Sequence, residues 1–265
     1  MELLSFVIDA KAGTKKQLKM KKSNLRQNEV DCLNKIKNSF LYSKGVKKAF
    51  DNSDYSTMES ILSGSRQNEK HSEFPDFFFD GGIIEHFQVT ASDETHKGSR
   101  YKIDDACCQR ENEKYFKQFD KELMESPYCP RTMTTQTVED VYEFFSYEFF
   151  VKSFKRNVER HLKSLRNSEY TNQVVVFLIE LESASLCIYV DDTFSRFYKL
   201  SEDRKLLQYI KETLTDVNYI IFSATNAYEI IDLSKIDLMI NKAKDNLDIR
   251  CGKHTNISVK FYLDL

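Results

Sequence analysis

The sequence predicts a single α/β domain in which a mixed central sheet is flanked by helices. Three observations predict this class. The first is an Asp80-Gly81-Gly82 turn between two runs rich in β-branched and aromatic residues. The second is a long helical pattern of apolar residues over Thr137–Leu165, and the third is the almost continuously apolar run Gln173–Glu182. Such a run is typical of a central strand that is covered on both faces.

The first third of the chain predicts a strand, two helices and a hairpin. Leu3–Ile8 is a short apolar run, and Asn28–Phe40 has apolar residues at helical spacing. Between them, Lys11–Arg26 is rich in Lys and Arg and has no Asp or Glu, which favours either a solvated loop or a surface for phosphates. Tyr55–Leu62 is compatible with a helix.

The remaining elements alternate between strands and helices. We expect a loop at Ala91–Asp105 and a long helix that begins near Thr137, where Thr137 and Asp140 have the spacing of a capping box. The other expected elements are a helix at Gln109–Met124, strands at Gln173–Glu182 and Ser185–Val190, a helix at Ser201–Leu214, a strand at Val217–Ser223, a helix at Leu233–Asn246 and a strand at Ile257–Leu263.

The predicted hairpin places two acidic residues on one face of the sheet. An Asp-Gly pair between strand-like runs is a strong hairpin signal, and a turn centred on Asp80-Gly81 puts Asp76 directly opposite Glu85. Centring the turn on Gly81-Gly82 shifts the partner by two residues and keeps the same face. Directly opposed like charges are destabilising, so a divalent cation or a shared proton is expected between them. Without such a site, both acids are ordinary strand residues.

The composition excludes several classes of protein. The chain has 265 residues, 41% of them hydrophobic, and a formal net charge of −2, so it is neither disordered nor a basic coat for nucleic acid. Its six cysteines include no C-x-x-C pair, which favours reduced thiols. No apolar run is long enough to span a membrane, and the first residues lack the charged segment of a signal peptide. We therefore expect a cytoplasmic protein.

The segment from Pro75-Asp76 to Val89 resembles the centre of the PD-(D/E)XK, or restriction-endonuclease-like, superfamily. In that superfamily an acidic helix precedes strands that bring an Asp and then an acid-x-Lys to one metal site, and a further helix and strand complete the core. The resemblance implies that Asp76 is the first acid, Glu85 the second and Glu29 the acid of the helix. Such a core covers roughly residues 25–182, with additional strands and helices over roughly 183–265.

The chain departs from the superfamily at the lysine, because Phe87 stands two residues after Glu85. Gln88 is the nearest replacement, but on a regular strand it points away from Glu85 unless a bulge redirects it. Lys97, in the following loop, and Lys11, in an Asp9-Ala10-Lys11 motif, are the other candidates. His86 and Gln88 share the opposite face, where they either form hydrogen bonds or contribute to a site. Glu180 is a further candidate for an acidic residue of the site.

The resemblance implies a nuclease that uses Mg²⁺ or Mn²⁺, with Asp76 and Glu85 as metal ligands. DNA is favoured over RNA as the substrate, and an enzyme that acts on RNA or nucleotides is a further option. The resemblance also implies a role in defence against foreign DNA, with a protein partner in a defence complex. The aromatic band of the long helix suggests a homodimer. The alternative is a catalytically inactive protein of the same fold that binds nucleic acid or serves as an assembly module, and Phe87 is the feature that favours it.

Overall fold

The computed structural model describes residues 14–42, 52–70, 74–95, 98–99, 145–182, 185–189, 195–224 and 227–252, arranged in two compact units, 1–80 and 81–265. Two strands and one helix that the sequence predicts lie outside these described residues: Leu3–Ile8, Gln109–Met124 and Ile257–Leu263. Lys11 and Lys97, which are candidate replacements for the superfamily lysine, also lie outside them.

The first unit contains two helices and a short antiparallel ribbon. Its elements are α1 (Thr14–Tyr42), α2 (Asn52–Gly64), β1 (Arg66–Gln67) and β2 (Phe77–Phe79), and β1 pairs with β2. The predicted helix at Asn28–Phe40 is confirmed, but α1 begins at Thr14. Of the two alternatives for Lys11–Arg26, the solvated loop is wrong from Thr14 onward. The segment from Lys15 to Arg26 consists mainly of Lys, Leu, Gln and Met, which favour helix, and contains no Gly or Pro.

The two helices of this unit have apolar faces. Phe40 of α1 stacks on Tyr55 of α2, with ring centroids 4.9 Å apart. Among the side chains of the two helices that the structure describes, the buried apolar ones are Cys32, Leu33, Ile36, Phe40, Tyr55, Met58, Ile61 and Leu62. Their spacing of three and four residues is the reason that the sequence reads as two amphipathic helices.

The second unit is built on a mixed sheet. Its strands lie in the order β3 (Gly82–Thr90), β6 (Val174–Glu182), β9 (Tyr219–Ser223) and β10 (Tyr228–Asp232). β6 runs parallel to both β3 and β9, and β10 is antiparallel to β9. Because β6 has a neighbour on each side and its residues 175–179 are fully buried, its sequence is apolar without alternation. The predicted mixed sheet is therefore confirmed, and β9 and β10 of the predicted C-terminal extension belong to it.

The turn before β3 has the predicted position. Asp80 and Gly81 form a turn between β2 and β3, and Gly81 has a φ of 80°, a conformation that favours glycine. The main-chain carbonyl of Gly81 accepts a hydrogen bond from the N–H of Val174, which fixes the start of β6 beside the start of β3.

The crossover from β3 to β6 contains the helix α3 (Tyr147–Arg166), which packs on β3. The helix begins later than predicted, because Ser146 is its N-cap and Phe145 forms a β-bridge with Ser92. Thr137 and Asp140 lie outside the described residues. The Ser146 hydroxyl accepts a hydrogen bond from the N–H of Phe149 at 3.1 Å, which satisfies a donor that the first turn leaves open.

Replacing Ser146 with alanine is expected to lower the free energy of unfolding by about 1 kcal/mol, because the first turn of α3 loses its cap. Urea denaturation followed by circular dichroism measures this loss. Ser164→Ala is the matched control, since Ser164 is exposed and its hydroxyl makes only a 3.4 Å contact with the carbonyl of Arg160. Equal losses in both variants would contradict the assigned cap.

The other elements of the second unit form two smaller groups. One is a three-stranded antiparallel sheet in the order β11 (Asp248–Gly252), β7 (Ser185–Tyr189) and β8 (Ser195–Phe197). The other is a pair of two-residue strands, β4 (Glu94–Thr95) and β5 (Gly98–Ser99), within the segment that was predicted to be a loop. The predicted strand at Ser185–Val190 is confirmed as β7.

Each of the last two predicted helices contains a break. Instead of one helix over Ser201–Leu214, the chain forms a 3₁₀ turn at Leu200–Glu202 and then α4 (Arg204–Thr213). Instead of one helix over Leu233–Asn246, it forms a 3₁₀ turn at Leu233–Lys235 and then α5 (Ile236–Lys242). Asp203 explains the first break, because its side chain accepts the N–H of Leu206 and so begins a new helix.

Candidate functional site

β3 presents two different polar groups on its two faces. Its parallel register with β6 runs without interruption from Gly82 opposite Val174 to Thr90 opposite Glu182. Side chains along a regular strand alternate, so Glu85 lies on one face and His86 and Gln88 lie on the other. The bulge that Gln88 needed in order to join Glu85 is not formed, and Gln88 is therefore not the replacement for a lysine beside Glu85.

Glu85 is held by a histidine of α3. Its side chain is only 8% exposed, and its Oε1 lies 2.6 Å from Nδ1 of His161. The ring of His161 stacks on Phe87 with a centroid distance of 4.4 Å and an interplanar angle of 16°. Phe87 in turn contacts the edge of Phe177 of β6. Phe87, two residues after Glu85 on β3, therefore supports the imidazole that contacts the acid.

Arg160 defines the tautomer of this histidine. Its Nη2 lies 3.0 Å from Nε2 of His161. An arginine side chain has donors and no acceptor, so Nε2 must accept this hydrogen bond. Nδ1 then carries the proton and donates a hydrogen bond to the carboxylate of Glu85. The three side chains form a chain of hydrogen bonds that runs from an exposed cation, through a neutral imidazole, to a buried acid.

The face of α3 toward β3 is unusually polar. Ser153, Asn157 and His161 follow each other at intervals of four residues, and Ser153 and Asn157 are buried. The Ser153 hydroxyl accepts the N–H of Thr90 at 3.1 Å, and the Asn157 amide donates to the carbonyl of Ser153 at 2.8 Å. Buried polar groups contribute less to stability than apolar ones of the same volume, so this row marks the α3–β3 contact as a candidate site.

A second acid lies on the other face of the sheet. Glu180 of β6 lies opposite Gln88 in the register, and its Oε2 accepts a hydrogen bond from Nε2 of Gln88 at 2.9 Å. The Nε2 of His86 lies 3.2 Å from the same oxygen. The prediction that His86 and Gln88 form hydrogen bonds on a shared face is confirmed. Both side chains contact Glu180, which the sequence analysis named as a further candidate acid.

The remaining candidates, Asp76 and Glu29, belong to the first unit. Asp76 and Pro75 are held through their main chain, because their carbonyls accept hydrogen bonds of 2.8 Å from the N–H and the side-chain amide of Asn68. The peptide bond between Phe74 and Pro75 is cis. Glu29 lies on α1 and is partly exposed.

His161 and Arg160 were not among the predicted site residues. His161 lies within the helical pattern Thr137–Leu165, on the face of α3 that contacts β3. A signal was nevertheless present, because a histidine within an apolar helical stripe needs a polar partner, and Glu85 is an acid on a strand face whose other side chains, Ile83, Phe87 and Val89, are apolar.

Comparisons of the chain with protein-family models, with curated proteins and with solved structures found no match. Within the part of the chain that the structure describes, no helix has the length and apolar character needed to cross a membrane.

Proposed function

We propose that this chain is a metal-dependent nuclease whose reactive centre includes Glu85. The observation that carries the proposal is the pair formed by Glu85 and His161, in which a buried strand carboxylate is oriented by a helix that crosses over to a parallel strand. The order of β3, α3 and β6 is the strand–helix–strand order of the superfamily that the sequence resembles. The proposed substrate is DNA rather than RNA.

The donor chemistry at Glu85 fits a hard divalent cation. Carboxylate oxygens are the ligands that Mg²⁺ and Mn²⁺ prefer, and Glu85 accepts from His161 through Oε1. A cation bound there would lower the pKa of a water and neutralise charge on the phosphate. The sequence resemblance assigns Asp76 as a second ligand, and the Asp76→Asn variant tests this assignment.

His161 and Arg160 serve the proposed centre in different ways. His161 is a positioning residue, since its Nδ1–H fixes one oxygen of Glu85 and its ring is held against Phe87. Arg160 is exposed, and its guanidinium has the shape and charge to bind a phosphate oxygen through paired N–H groups. In this row of hydrogen-bonded side chains, the exposed Arg160 is thus suited to bind the substrate and the buried Glu85 is suited to bind the metal.

The proposal is tested by incubating the full chain with supercoiled plasmid in the presence of Mg²⁺, Mn²⁺, Ca²⁺ or EDTA, and in parallel with single-stranded RNA. We expect cleavage of the plasmid with Mg²⁺ or Mn²⁺ and none with EDTA. The Asp76→Asn variant is expected to lose this activity. Glu212→Gln, which changes an exposed acid of α4, is the matched control and is expected to retain it.

Plasmid and RNA that both remain intact with every metal would contradict the nuclease proposal. Cleavage of RNA alone would leave a nuclease and contradict its assignment to DNA. Loss of activity in Glu212→Gln as well would show that the effect of Asp76→Asn is not specific to that residue.

A second candidate function is a nucleic-acid-binding or assembly module that retains the fold without the activity. Phe87 is the observation that favours it, because an aromatic ring stacked on His161 occupies the place at which the superfamily has its lysine. This candidate predicts that the wild-type chain binds DNA and leaves it intact under every metal condition. The cleavage experiment therefore separates the two functions.

A further inference from the structure

α3 has a row of basic side chains on the surface that faces away from the core. All four residues of this row, which we call the α3 basic row, are exposed: Lys152, Arg156, Arg160 and Lys163. Successive residues of an α-helix are rotated by about 100°, so the row falls within an arc of about 80° and spans about 16 Å of the helix axis. The buried apolar residues of the helix are centred about 180° from the row: Phe150, Phe154, Val158, Leu162 and Leu165. The row is therefore a solvent-facing surface of positive charge.

The stability of the helix does not explain this row. Like charges four residues apart on a helix repel each other, and the first three residues of the row are spaced in this way. The exposed acid beside the row, Glu159, accepts a hydrogen bond from the Tyr209 hydroxyl of α4 at 3.3 Å, so it is directed toward α4. Within the part of the chain that the structure describes, no carboxylate lies within ion-pair distance of the ammonium group of Lys152 or Lys163. The row is therefore suited to an anionic partner from outside the chain.

The row adjoins the proposed reactive centre. Going round α3 from the first residue of the row, Ser153, Asn157 and His161 follow at about 100°, 140° and 180°. Arg160, at about 80°, is the member of the row closest to this polar sector, and its Nη2 lies 3.0 Å from Nε2 of His161. His161 in turn contacts Glu85. A long polyanion that lies along the row would therefore place one of its anionic groups beside the contact between α3 and β3.

The length of the row fits the backbone of a nucleic acid. Each strand of B-DNA has a phosphate about every 3.4 Å along the axis, so the row extends over about five of them. A lipid surface fits less well, because a helix that lies in a membrane surface inserts an apolar face among the lipids. The apolar face of α3 is buried in the core of its own unit and is not available for insertion.

A duplex fits the row better than a single strand does. Proteins that hold single strands combine basic groups with aromatic rings on which the unpaired bases stack. Among the described residues, the exposed large apolar side chains are Tyr42, Phe197 and Leu238, and none of them lies on α3. The helix thus offers contacts to phosphates and no exposed aromatic platform for unpaired bases. In a duplex the bases are already stacked, and the backbone alone can supply the contacts.

We propose that the α3 basic row binds the phosphate backbone of double-stranded DNA, without reading its sequence, and aligns the duplex with the centre at Glu85. Lysine and arginine contacts to phosphates supply affinity and register, whereas base edges supply specificity. The inference rests on the proposed function for the role of Glu85, and it deepens that function by naming the form of DNA and the surface that holds it. Binding requires no metal and no cleavage, so it is tested apart from catalysis.

The test measures binding of the full chain to a fluorescently labelled DNA duplex by anisotropy, in EDTA at several salt concentrations. The row variant combines Lys152→Gln with Lys163→Gln and leaves Arg160 in place. The control variant combines Lys205→Gln with Lys242→Gln, which removes the same charge from exposed lysines of α4 and α5. Glutamine is nearly as good a helix former as lysine, and circular dichroism checks that both variants keep their helix content.

The row variant is expected to bind the duplex about 60-fold more weakly near 0.1 M salt. The slope of log K against log salt concentration is expected to fall in magnitude by about 1.8, because each phosphate contact contributes about 0.9. The control variant is expected to retain the slope of the wild type. A third variant, Lys152→Arg with Lys163→Arg, keeps both charges and is expected to bind as the wild type does. Equal weakening in the row and control variants would overturn the inference, because net charge rather than the row would then determine binding.

Three further outcomes would also overturn it. One is a wild-type chain that shows no salt-dependent binding to the duplex, even if it cleaves DNA with Mg²⁺. The second is an arginine variant that binds the duplex as weakly as the glutamine variant. The third is row-dependent binding to polyglutamate, or to vesicles of phosphatidylserine and phosphatidylcholine, in the absence of duplex binding. Row-dependent duplex binding without cleavage under any metal would instead support the inference and contradict the nuclease proposal alone.

Discussion

The Glu85→Gln variant is expected to lose cleavage activity by roughly 100-fold or more, because even residues that only orient a metal ligand contribute about 10- to 100-fold. A glutamine at this position keeps the volume of the side chain, and its carbonyl oxygen can still accept the Nδ1–H of His161. The fold is therefore expected to survive, while the charge that attracts the cation is lost. Initial rates of plasmid cleavage measure the effect.

Glu180→Gln is the matched control for this prediction. Glu180 is also a strand acid that accepts from a histidine, but it lies on the opposite face of the sheet from Glu85. We expect its replacement to leave the cleavage rate essentially unchanged, because its carboxylate takes no part in the proposed centre. Loss of activity in Glu180→Gln with retention in Glu85→Gln would place the reactive centre on the other face of the sheet and contradict the role proposed for Glu85.

Asp203→Ala is expected to have the largest effect on stability, a loss of about 3 kcal/mol in the free energy of unfolding. Asp203 is buried, and its Oδ1 accepts the N–H of Leu206 at the start of α4. Its Oδ2 accepts hydrogen bonds from the phenols of Tyr198, at 2.8 Å, and Tyr147. Alanine removes the cap and leaves the fully buried Tyr198 hydroxyl without its acceptor.

The control for Asp203 is Asp232→Ala, measured in the same urea denaturation experiment. Asp232 caps a 3₁₀ turn by accepting from the N–H and the hydroxyl of Ser234, and both of these hydrogen bonds are exposed. Its replacement is expected to cost no more than about 1 kcal/mol, because water can satisfy the groups that it leaves. Equal losses in the two variants would show that the buried phenols add nothing to the role of Asp203.

The two tyrosines also predict how stability depends on pH. Burial, followed by the charge and hydrogen bond of Asp203, raises the pKa of both phenols above the ordinary value of 10.0. The folded chain therefore binds these protons more tightly than the unfolded chain. Their contribution to stability is fully present below pH 10 and decreases as the pH rises above it. In Asp203→Ala this decrease is expected to be smaller.

The sequence predicted best those elements whose pattern is local. The apolar run of β6 and the Asp80-Gly81 turn were identified because burial on both faces and a positive φ leave clear signals in composition. The strands β10 and β11 were not identified. They are short, contain charged residues and are partly exposed, so they do not alternate clearly between apolar and polar positions.

The candidate site was predicted only in part, for a physical reason. Glu85 was found because a hairpin signal and an acid coincide in a few residues. His161 is 76 residues away in sequence, and the contact between them exists only because α3 packs across β3. Gln88 could replace the lysine only if β3 had a bulge, and whether a strand has a bulge depends on its pairing with the neighbouring strand. The uninterrupted parallel pairing with β6 keeps β3 regular.

The contact of Arg160 with Nε2 of His161 has a consequence for proton transfer. While the guanidinium donates to this nitrogen, the lone pair of the imidazole is occupied and takes up no proton. A phosphate group that draws Arg160 to itself would uncover that lone pair. In the proposed enzyme, Nε2, on the side of the imidazole away from Glu85, would then be free to accept a proton only when a substrate has arrived, which couples the basicity of the centre to its occupancy.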